Sequence, residues 1–194
     1  VTLDAKGAPL SRNEFTHTGK ALLEAPPAPG DVSMLVVMAG ERIVGLGPDA
    51  TTLPLEVALP GTTGDAWSVH FSADGARGFV AFANGRLLEI ELSAEGVREV
   101  SWHQPLAGGA TPTVLDISSS GDRLLLRRDQ SVHVFEPDEQ RTVTLSGSEL
   151  LSAAFVGAHS ARRIATVDTS GNFAAWSLEA QLLAQGAVIK PSPS

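Results

Sequence analysis

Hydrophobic and polar residues alternate along most of this chain in short runs with a period of two, the signature of half-buried β-strands. Trp67, Val69 and Phe71 fall on one face of such a run, with Ser68 and His70 on the other. A second run covers residues 79–82. A third sets Leu88, Ile90 and Leu92 against Glu89 and Glu91. The runs are separated by turn signals: Asp74-Gly75, Asn84-Gly85, Asp129-Gln130 and Ser170-Gly171. No segment shows helical periodicity over three turns; residues 179–185 are helix-permissive but short.

These runs recur on a shared frame. Phe71, Ile117 and Phe155 are equivalent anchors, 46 and 38 residues apart, which brackets the roughly 40–45 residues of a four-stranded propeller blade. After each anchor the same order returns. Leu124-Leu125-Leu126 leads to Val132 and Val134, and residues 164–167 lead to Ala174, Trp176 and Leu178. A fourth, weaker unit precedes these, with a hairpin of residues 31–38 and 42–46 followed by a strand at 55–59. The pattern predicts an all-β, β-propeller-like fold of about four blades of four antiparallel strands. Residues 1–28 form an N-terminal leader or linker, 29–182 the blades, and 183–194 a strand end and flexible tail.

The frames resemble the tryptophan–aspartate (WD) repeat β-propellers, in degenerate form. Phe71-Ser72-Ala73-Asp74-Gly75 matches that family's central turn, and Ile117-Ser118-Ser119-Ser120-Gly121 matches it less well. Ile90-Glu91, Phe135-Glu136 and Trp176-Ser177 occupy the closing Trp-Asp pair. Gly61-Thr62, Gly108-Gly109 and Gly147-Ser148 stand where the family has Gly-His. The resemblance implies a hydrogen-bonded network of His, a turn Asp, a Ser or Thr and the Trp, which is incomplete here without the His. It also implies rings of about seven blades. Four blades would form part of a larger propeller, completed by another chain or segment.

Composition narrows the function. The chain has 194 residues, 43% hydrophobic, with a net charge of −8 and no Cys. The missing Cys excludes a disulfide framework and leaves the compartment open, with the cytoplasm slightly favoured. The acidic balance disfavours nucleic acid and anionic membrane surfaces. No apolar run approaches the roughly 20 residues of a membrane-inserted helix. The chain starts at Val1 without a Met, which reads as a processed or excised piece or part of a larger polypeptide.

Catalytic patterns are lacking. His17, His70, His103, His133 and His159 show no metal-ligand spacing, and His70 and His133 fall on outward strand positions. No Gly-x-Ser-x-Gly elbow or calcium loop occurs, and His17-Thr18-Gly19-Lys20 lacks the upstream Gly of a phosphate loop. Most Asp residues sit in turns. The expectation is a non-catalytic protein–protein interaction scaffold or assembly subunit without a cofactor. The alternative is a propeller hydrolase or lyase with a polar site on the ring axis. Trp67 and Trp176 take inward positions. Trp102 and His103, on an outer strand, and the basic pair Arg127 and Arg128 are the candidate partner contacts, with His103 dispensable for stability.

Overall fold

The computed structural model describes residues 2–3, 9–11, 21–26, 32–38, 40–49, 51–108, 111–147, 149–157 and 162–187. Among them are 18 strands and no helix. His17, His159, Gly109, Ser148 and the 190–194 tail lie outside the described residues. The chain divides into two compact units, one of residues 1–104 with 119–121, the other of 105–118 with 122–194.

In the first unit, β1 (Thr2–Leu3) and β2 (Pro9–Ser11) form a small antiparallel pair. Two four-stranded antiparallel meanders follow. The first comprises β3 (Ala21–Glu24), β4 (Met34–Met38), β5 (Arg42–Leu46) and β6 (Thr52–Ala58). The second comprises β7 (Ala66–Phe71), β8 (Arg77–Phe82), β9 (Leu87–Ser93) and β10 (Gly96–His103).

The outer strands β6 and β10 meet in parallel at Leu55 and Gly96, fusing the meanders into one eight-stranded sheet. Its end strands β3 and β7 approach each other, so the sheet curls nearly closed. Leu35, Val37, Ile43, Val80, Phe82, Leu88 and Ile90 fill its core. The joint depends on Gly96. Its φ of +125° suits glycine, and a Cβ there would lie 2.5 Å from the Leu55 carbonyl oxygen.

The second unit holds two further antiparallel meanders. One is β11 (Thr113–Ile117), β12 (Leu124–Arg128), β13 (Ser131–Glu136) and β14 (Arg141–Thr144). The other is β15 (Leu150–Val156), β16 (Arg163–Asp168), β17 (Asn172–Trp176) and β18 (Leu182–Ala187). They pack by apolar side chains, with Leu125, Val132, Val134 and Leu145 against Leu150, Ala153, Ile164 and Trp176. Trp176 is 2% exposed, and its Nε1 donates to Thr166 Oγ1 at 2.9 Å.

The all-β class and the antiparallel meanders agree with the sequence reading. Four separate blades do not follow directly, because the first two meanders share one sheet. The first meander begins at Ala21, inside the stretch read as a leader, and the last runs to Ala187. Residues 182–185 of the helix-permissive stretch are strand, within Leu182–Ala187.

Trp67 corrects an expectation, since it is 54% exposed rather than core. Ala66 opposes Phe82 and Ser68 opposes Ala81, so Trp67 is the extra residue of a bulge and leaves the alternation. Leu115 and Leu151 are bulged in the same way in β11 and β15, the corresponding first strands.

Three substitutions test this packing in denaturant melts. Trp176→Ala should cost roughly 3–5 kcal/mol, the range for a deleted buried aromatic. Trp67→Ala should stay within about 0.5 kcal/mol, as for other surface changes. Gly96→Ala should cost roughly 1–3 kcal/mol from forced backbone geometry.

Candidate functional site

The four residues nominated as partner contacts fall in different units, and each is engaged within its own. Trp102 is half-buried, its ring 5.4 Å from that of Phe82, with the Arg86 guanidinium 4.4 Å from the indole centroid. His103 is 2% exposed and therefore closed to a partner. Its face is again set by a bulge: Glu99 opposes Ile90 and Ser101 opposes Glu89, which throws Val100 outward, turns Trp102 onto the core face and leaves His103 on the Glu89 face. Arg127 donates to the Leu151 carbonyl at 2.7 Å, bracing β12 to the bulge of β15. Arg128 donates to the carbonyls of Ala107 and Gly108 at 3.3 and 2.5 Å.

His103 belongs to a buried polar cluster. Its Nε2 lies 2.9 Å from Glu89 Oε2, while Arg77 Nε donates to Glu89 Oε1 at 2.6 Å. The next repeat carries a related arrangement, in which Arg123 Nε donates to Glu136 Oε1 at 2.9 Å and Arg141 pairs with the other oxygen. The turns before both arginines match as well. Ser72 and Ser118 are buried, each bonding an Asp of its turn and accepting the backbone N–H of the arginine five residues on. These clusters fix the second and third strands together. They act as braces between neighbouring strands.

His133, read as outward, is buried in β13 and bonds Thr144 Oγ1 at 2.9 Å. His70 is half-buried and lies 3.0 Å from Ser68 Oγ. No group of three or more His, Cys, Asp or Glu side chains suited to a metal occurs among the described residues.

The open surface lies on the last meander, which has two distinct features. The first is its outward face. Register places Ala154, Ala165, Ala175 and Ala184 in one row across all four strands, with Val167 opposite Ser152 in the neighbouring row and 40% exposed. The second is a cleft of about 630 Å³ on the same face as Trp176. Leu125, Val132, Val134 and Leu145 of the preceding sheet pack on that face, burying Trp176. Leu182, Gln185 and Gly186 form one side of the cleft, and Ser146, Gly147 and Leu150 the other. On the outward face, in the row beside the alanines, Gly186 admits the Phe173 ring, since a Cβ there would stand 2.6 Å from it.

The polar groups of the cleft are mostly engaged. Thr166 Oγ1 accepts from Trp176, and Asp168 accepts from the Ser170 and Asn172 backbone and from Asn172 Nδ2. Those bonds, the Asn172 side chain first, hold the Asp168 carboxyl below its usual range. No imidazole or cation lines the cleft among the described residues. It offers an apolar floor and a negative corner, and no nucleophile with an adjacent base. Nothing in the sequence marked Phe173, Leu182 or Gln185; the only signal was the absence of charge over residues 180–187.

Two pH dependences follow. Burial, then the charge of Arg128, pushes the His133 pKa below its ordinary 6.5. A base held neutral in the fold contributes fully above that value and less as pH falls below it. Burial alone would raise the Glu89 carboxyl, but bonds from His103 and Arg77 bring it below 4.5. Glu136 is lowered by the Arg141 bond, against burial, with Arg123 assisting. Stability from both glutamates is present above about pH 4.5 and lost in stronger acid. In thermal melts across pH, His133→Gln should flatten the decline below pH 6.5, and Glu89→Gln should reduce the decline below 4.5. His103→Ala should cost about 1–3 kcal/mol, because it removes a partner from a buried carboxylate.

The chain matches no protein-family model and no curated protein sequence, so its functional reading rests on its own residues.

Proposed function

We propose that this chain is a non-catalytic protein-interaction module built from degenerate WD-like propeller repeats, and that its last meander receives a further sheet from a protein partner. The repeat frame carries the fold part of the reading. In the fourth repeat, the Trp176–Thr166 bond and Asp168 in the following turn supply three of the four members of the WD-family network. The His position of that repeat falls at Gly147-Ser148.

One observation carries the interaction part. On the repeat frame, Leu125 and Val134 of the β11–β14 sheet, paired in register, correspond to Ala165 and Ala175 of the β15–β18 sheet. The first pair is buried beneath the next meander; the second sits on a face with no meander above it among the described residues. Exposed Ala154, Val156, Val167 and Ala184 extend that face across the sheet. Apolar faces of this kind on soluble domains mark interfaces.

Size-exclusion chromatography with light scattering tests the reading on the 194-residue chain. Concentration-dependent association is expected, and Ala165→Lys should shift the population toward monomer without lowering the melting temperature. A monomer resistant to concentration, unchanged by Ala165→Lys, would overturn it.

A further inference from the structure

The four outer strands of this fold are not equivalent. β6 and β10 cover each other's edges by parallel pairing, with the Leu55 N–H donating to the Glu95 carbonyl at 3.1 Å. β14 is guarded by charge and by a bond: Arg141 pairs with Glu136, and Thr142 Oγ1 donates to the Pro105 carbonyl at 2.7 Å. β18 pairs with β17 alone among the described residues. From Ala180 to Ala187 it has no charge and no proline, the devices by which natural sheets protect an edge. Leu182 and Leu183 are 48% and 47% exposed, brought out together by the register shift opposite Ala175 and Trp176.

We propose that the free edge of β18, with the adjoining cleft, is a strand-addition site for an extended partner peptide that is apolar at its centre and basic at its flanks. Strand addition draws affinity from main-chain hydrogen bonds and specificity from pockets for alternate side chains. Here the edge supplies the first and the cleft the second. Its 630 Å³ suits one or two bulky side chains against Leu150, Trp176 and Leu182. Gln185 also lines the cleft and adds a side-chain amide able to bond an incoming backbone.

Charge selects the flanks. Asp168 lines the cleft, Glu149 sits beside it through its bond from Thr169, and Glu179 belongs to the turn leading into β18. No Lys or Arg lines the cleft, and the whole chain carries −8. A basic-flanked segment is therefore attracted and an acidic one repelled. The proposal rests on the interaction-module reading but uses a different surface from the alanine-rich face.

The test uses the full chain and fluorescein-labelled octapeptides with a Val-Ser-Phe-Ser centre and either Lys or Glu at both ends. Anisotropy should show the Lys-ended peptide binding at least about tenfold more tightly than the Glu-ended one. Hydrogen exchange should slow at residues 182–187 when it binds. Leu183→Lys, a change at an exposed position, should weaken binding about tenfold while leaving the melting temperature unchanged. Equal affinity for both peptides, no slowed exchange in β18, or binding unaffected by Leu183→Lys would each overturn the proposal. Loss of self-association in Leu183→Lys without any peptide would also overturn it, by showing that a second copy occupies the edge. Association that responds to Ala165→Lys in a chain that fails to bind the peptide would leave the module reading standing and the strand-addition site refuted.

Discussion

The second unit of this protein depends on the stacking of two small β-sheets through their apolar faces. A four-stranded meander of four- to eight-residue strands has apolar residues on both sides and cannot bury them by itself. The β11–β14 sheet resolves this by laying Leu125, Val132 and Val134 against Ile164, Ala153 and Trp176 of the sheet that follows. The first two meanders use another solution, curling into a single sheet around Leu35, Ile43, Val80, Phe82 and Ile90. In such an array each element is stabilised by its neighbour, so the last face remains an open valence unless something covers it.

Ionic clusters hold neighbouring strands together within the second and third meanders. Arg77, Glu89 and His103 join three strands of the second meander, and Arg123, Glu136 and Arg141 do the same in the third. A buried ion pair is weak evidence for net stability, because desolvation opposes the attraction. Its stronger effect is on register. A slip of one residue would turn Glu89 or Glu136 to the other face and strand an arginine without its partner. The fourth meander carries an uncharged cross-strand bond instead, from Trp176 to Thr166.

The two exposed features of the last meander have a common origin. Its outward face carries alanines where the preceding sheet has Leu125 and Val134, which leaves a shallow surface for another sheet to approach. Its outer strand is short, uncharged and followed on one side by an open cleft. One feature suits face-to-face packing and the other edge-to-edge pairing, so they make separable demands on a partner.

Period-two alternation, the turn residues and the recurrence of the Phe71, Ile117 and Phe155 anchors determined from sequence that the chain is all-β, that its strands form meanders, and where most of those strands lie. These are local properties: alternation follows from the pleat, and each turn is written in two or three adjacent residues. The faces of Trp67 and His103 were not legible. A bulge inserts one residue without a strong sequence mark and inverts the alternation beyond it, exposing Trp67 and setting His103 on the Glu89 face with Trp102 on the core face. The pairing of Glu89 with Arg77 and His103 was hidden for a related reason, since it joins residues 12 and 14 positions apart across strands whose register the bulges set. Only the tertiary structure decided that β6 and β10 share a sheet while β18, among the described residues, pairs with β17 alone. Edge pairing depends on which strands meet in space, and an isolated strand sequence carries no record of its neighbour.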